Sequence, residues 1–92
     1  MFTKEILRLI QDFFDKSPEI TEETQDFAHA VVWALLEAKE EGRLPLWRIK
    51  EIAIAQVERG TNYKGEIMVS SEEKVALKGL VYKLVYLKEV VK

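Results

Sequence analysis

The sequence predicts a mainly α-helical domain, a bundle of about four helices with short β segments. Three observations predict it. Apolar residues recur at three- and four-residue spacing through most of the chain. Glycine and proline are few and fall between those stretches or near their ends, Gly79 excepted. Ninety-two residues, 48% apolar and 33% charged, suffice for one domain with one core.

The stretch MFTKEILRLIQDFFDK predicts the first helix, with Phe2, Ile6, Leu9, Ile10 and Phe13 at helical spacing. Leu7 and Phe14 widen the apolar side, as in a helix that packs against two partners. Residues 2–16 are therefore expected to be a dimerisation helix, with Phe2, Ile6, Ile10, Phe13 and Phe14 pairing two copies in a homodimer. KSPEIT ends this helix, since Pro18 disfavours helical geometry at Ser17. Ser17 or Thr21 then caps a second helix that runs to about Glu41 and stops at Gly42. Its apolar residues lie on two faces, Phe27, Val31, Ala34, Leu35 and Ala38 on one, and His29, Val32, Trp33 and Leu36 on the other. That pattern predicts the central spine of the domain.

Pro45 biases Leu44 toward extended geometry, and a third helix follows with Leu46, Ile49, Ile52, Ala53 and Val57 inward and Gly60 as its stop. Ile67 and Val69 alternate with polar neighbours as in a short strand. SSEE then places Ser70 three residues before Glu73, a capping box that opens the last helix. Lys88-Glu89-Val90-Val91 reads as extended.

Several function classes are disfavoured by composition. No apolar run approaches the ~18–20 residues of a membrane span, and the opening residues lack a basic-plus-apolar leader. The chain has no cysteine, hence no disulfide or thiolate chemistry, and a cytoplasmic protein is expected. Many Lys and Glu beside few Asn and Gln resemble the composition of proteins from hot environments. His29 is the single histidine, and Asp26 with His29 at i,i+3 supplies too few ligands for a metal centre within one chain. The glycines are scattered rather than gathered in a phosphate loop. No enzyme, metal or cofactor is expected.

Charge is split along the chain. Residues 1–42 hold four basic against ten acidic residues, and residues 43–92 hold ten against six. A basic half of this kind suits a polyanionic partner. In the last helix Leu77, Leu80, Leu84 and Leu87 share the core face. Ser71, Lys74, Val75, Lys78, Gly79, Tyr82 and Tyr86 lie opposite, with Lys83 at the border. Lys74 and Lys78 repel at i,i+4, a repulsion that phosphates relieve.

IKEIA, a connection, and then ALKGLVYKLVYLKEVVK resemble the winged helix-turn-helix regulators of the MarR type. Leu77, Leu80, Val81, Leu84 and Leu87 fill the hydrophobic places of that family's recognition helix, and Val90-Val91 stand where its first wing strand begins. The resemblance implies one winged-helix-like domain over residues 1–92. It implies a transcriptional regulator that binds double-stranded DNA as a homodimer, with residues 71–86 as recognition helix. Lys64, Ser71, Lys74, Lys78, Tyr82 and Lys83 are the expected DNA contacts. Three departures stand against it: residues 60–69 are long for a tight turn, Lys88 or Glu89 replaces the usual glycine, and the residues after it are too few for a full wing. The alternative is a helical protein–protein interaction module, or a small subunit of an assembly, docking through Phe14, Trp47, Ile54 and Tyr86.

Overall fold

In a computed structural model, described for residues 4–60, 65–66 and 69–87, the chain forms four helices in the order the sequence predicts. They are α1 (Lys4–Asp15), α2 (Glu22–Glu41), α3 (Leu46–Arg59) and α4 (Ser71–Val85). No strand occurs among the described residues. Val69, half of the expected Ile67/Val69 strand, is buried in the helical core. Ile67 and residues 88–92 lie outside the described residues.

Each helix boundary has a local cause. Thr21, not Ser17, caps α2, its Oγ1 accepting from the Thr24 amide. Ser17 is buried in the α1–α2 turn, where its carbonyl accepts from the Ile20 amide. Gly42 and Gly60 end α2 and α3 in the left-handed region, at φ 70° and 57°. The capping box at α4 is complete: Glu73 N–H donates to Ser70 Oγ, and Ser70 N–H donates to Glu73 Oε1 at 2.9 Å.

α2, α3 and α4 pack against one another. α3 runs against α4, since Gly60 at its end lies beside Lys74 near the start of α4, while Lys50 reaches Tyr82. α2 runs the same way as α4. Their N-termini meet where Glu73 Oε2 accepts from the Thr21 amide at 3.0 Å. Their C-terminal ends meet where Lys39 Nζ donates to the Leu84 and Leu87 carbonyls at 2.8 and 3.2 Å. A carboxylate thus sits at two helix N-termini and an ammonium at a helix C-terminus, each matching the backbone dipole there.

Two expectations about the core change. α2 is not enclosed on all sides: Thr24, Ala28, Val31, Val32, Leu35 and Leu36 are buried, while His29 and Ala34 are exposed and Trp33 is 44% exposed. The most deeply buried helix is α4, with Leu77, Leu80, Val81, Leu84 and Val85 all at 2% exposure or less. In α3, Ile49, Ala53 and Val57 face the core, whereas Leu46 and Ile52 are partly exposed.

On α1, Ile6, Ile10 and Phe14, expected to meet a second copy, are buried within the chain itself. Phe14 stacks edge-on against His29 at 5.0 Å. Phe13 is half-buried against the core, and Phe2 lies outside the described residues. Spacing of i, i+4 and i+8 builds one face, and that face is spent on the chain's own core.

Candidate functional site

At about 100° per residue, the sides of α4 have different surroundings. One packs into the core. A second meets α3 through Lys74, Lys78 and Tyr82. The side left to solvent carries Val75, Gly79, Tyr82 and Tyr86, at steps of four, three and four residues. Val75 is 71% exposed, Tyr82 49% and Tyr86 51%. These steps are those of a helical seam. Leucines at similar spacing on the opposite side hold the helix in the bundle, so α4 is apolar on two sides.

α3 extends this face. Lys50 Nζ stands 5.4 Å from the centre of the Tyr82 ring, a cation–π contact. Glu58 and Lys78 form an ion pair two turns of α3 further along. Between Lys50 and Glu58, one turn from each, lies Ile54, partly buried. Trp47, 57% exposed, falls on the same side of α3 seven residues before Ile54. Antiparallel packing brings the Trp47 end of α3 to the Tyr86 end of α4.

Of the lysines expected to seek phosphate, Lys78 has a partner nearer home. Lys78 hydrogen-bonds Glu58, and that contact with the attraction of Lys78 and Lys74 holds the Glu58 carboxyl below its ordinary value. Glu58 therefore relieves the Lys74–Lys78 repulsion from within the chain. The pair is at the surface, with side-chain exposures of 35% and 55%, so water screens it and it adds little to stability.

Of the six expected DNA-contact residues, five lie among the described residues, and their surroundings differ. Lys74 and Lys78 are half-buried toward α3; Tyr82 bridges toward Lys50; Ser71 is exposed in the first turn of α4. Lys83 points to the other flank, lining a groove against α1 with Arg8, Asp12, Phe13 and Lys16. Lys64 lies outside the described residues. Glu73 is turned inward, whereas Glu72 is exposed. Lys50 and Glu58 were missed by the sequence reading. The cue was the line Lys50, Ile54, Glu58 at i,i+4 steps, which gains meaning only once α3 lies antiparallel to α4.

Two other recesses are less developed. The apolar cleft between α2 and α3, lined by Ala34, Ala38, Leu44 and Ile52 among others, holds about 50 Å³. The α1–α4 groove is larger, about 410 Å³, but open, with Glu5 and Asp12 interspersed among Arg8, Lys16 and Lys83. Among the described residues no group of three or more His, Asp or Glu is placed to hold a metal, and no helix is long and apolar enough to cross a membrane. No protein-family model matches this chain, and no curated protein or solved structure matches it either.

Proposed function

We propose that this protein is a helical interaction module that docks a helix of a partner protein on the face shared by α3 and α4. The observation that carries the reading is the outward stripe Val75, Gly79, Tyr82 and Tyr86 on a helix already anchored by its opposite side. Aromatic side chains offer ~150–250 Å² each. Half-exposed Trp47, Tyr82 and Tyr86 with Val75 thus present about 400 Å², in the range where the largest patch of a monomer is often functional. Helix-in-groove recognition uses anchors at this spacing.

DNA-binding transcriptional regulation is the second reading, favoured by Lys50, Lys74 and Lys78 beside Tyr82. Against it stand the Glu58 pair, the exposed Glu72 at the start of α4, and Lys83 on the far flank. The deciding experiment selects helical peptides displayed against the wild-type protein, then re-tests them on Val75→Glu. A labelled DNA duplex is titrated in parallel at about 50 and 200 mM salt. The docking reading expects peptides that lose at least tenfold in affinity on Val75→Glu, and no duplex binding. Duplex binding that falls by roughly 10³ between the two salts and vanishes in Lys78→Glu replaces it with the DNA reading.

A further inference from the structure

We infer that the partner presented to the α3–α4 face is an acidic amphipathic helix of about three turns, seated over Gly79; this rests on the docking reading above. The length follows from the stripe. Val75 to Tyr86 is eleven residue steps, or about 16 Å at 1.5 Å per residue.

Gly79 fixes where the partner sits. A β-carbon built there meets nothing within 4 Å, so no neighbouring helix of this chain requires the glycine. Its backbone is not in the left-handed region either, so no turn requires it. Glycine inside a helix is unfavourable relative to alanine. What it provides here is a notch in the stripe, between Val75 and Tyr82, into which a partner side chain or backbone can settle.

Charge decides the partner's chemistry. Around the stripe stand Lys50, Lys74 and Lys78 against Glu58 and Glu72. Glu58 is engaged with Lys78, which leaves the cations in excess. Complementary potential favours a partner whose apolar anchors are flanked by Asp or Glu. A second copy fits this face less well. Two-fold pairing sets like patches together and opposes lysines to lysines. Head-to-tail docking of this face on the acidic α2 of another copy is heterologous, and builds rings or open chains rather than a two-fold pair.

Two designed peptides of about 16 residues test the inference. Both carry the same Leu/Met stripe at four-three-four spacing, one flanked by Glu and the other by Lys. Binding is read from Trp47 fluorescence in Trp33→Phe, which leaves Trp47 as the sole tryptophan, with sedimentation of the protein alone as a companion measurement. The acidic peptide is expected to bind at least tenfold tighter than the basic one. That advantage should shrink several-fold between about 50 and 300 mM salt, and should be largely lost in Lys50→Gln/Lys74→Gln. Gly79→Leu, which fills the notch, should weaken the acidic peptide at least tenfold while the helix content is unchanged. Equal binding of the two peptides, or tighter binding of the basic one, overturns the inference and leaves the docking face standing. Self-association abolished by Val75→Glu also overturns it, by assigning the face to another copy. If neither peptide binds and display yields none sensitive to Val75→Glu, the inference and the docking reading fall together.

Discussion

A β-carbon added at Gly60 meets Lys74 Cε at 3.0 Å and Val69 Cβ at 3.2 Å, on a backbone at φ 57°. One added at Gly79 meets nothing on an ordinary helical backbone. Opposite outcomes follow for the same substitution. Gly60→Ala should lose about 1–2 kcal/mol from left-handed strain and crowding against Val69. Gly79→Ala should gain about 0.5–1 kcal/mol from helix propensity. Chemical denaturation of the two variants beside wild type measures both. The two glycines are indistinguishable by composition. Gly60 announces itself by ending a helical pattern; Gly79, inside one, becomes informative only when its surroundings are known to be empty.

At the scale of elements, the helix ends were the most legible part of the fold, because a cap is a local contact. Thr21, Gly42, Gly60 and the Ser70/Glu73 box are written within a few residues of the boundary they set. What joins one helix to another was not legible. Glu73 accepts from Thr21, 52 residues away, and Lys39 reaches carbonyls 45 and 48 residues on. Burial alone would raise the Glu73 pKa, but the Ser70 and Thr21 amides, helped by the Thr24 and Ser70 hydroxyls, bring it down from 4.5 to about 2. Folded Glu73 therefore holds its proton less tightly than unfolded. Its stabilisation is complete above about pH 4.5 and is lost as pH falls toward 2. Glu73→Gln should cost about 1–2 kcal/mol at pH 7 and flatten the decline of Tm across that acid window. An unchanged acid slope in the variant would remove Glu73 as its cause. At the other end, Lys39→Met keeps the aliphatic stem but loses both hydrogen bonds. It should lower stability by about 1–2 kcal/mol, read by thermal unfolding at neutral pH.

The whole molecule has an acidic part in α1 and α2 and a more basic part in α3 and α4, a division the sequence displays as a charge split between its halves. The four-helix count, helix order and core face of α4 were likewise readable, because helical periodicity reports them directly. Which apolar side of a helix stays outside was not. Ile6, Ile10 and Phe14 on α1 and Val75, Tyr82 and Tyr86 on α4 are all apolar or aromatic at helical spacing, yet the first set is internal and the second external. Periodicity does not say how many faces find partners within the chain. The same limit applies to Lys78, whose ion pair with Glu58 joins two helices and is not displayed by the spacing of α4 alone.

Whether the α3–α4 face docks a helix is tested most directly by following the Gly79 amide in a ¹⁵N-labelled protein as the acidic peptide is added. Gly79 should shift progressively and saturate, together with Val75 and Tyr82, while Gly42 at the α2–α3 turn stays in place. A Gly79 resonance that does not move, with Gly42 shifting instead, would contradict the account and transfer the site to the cleft between α2 and α3.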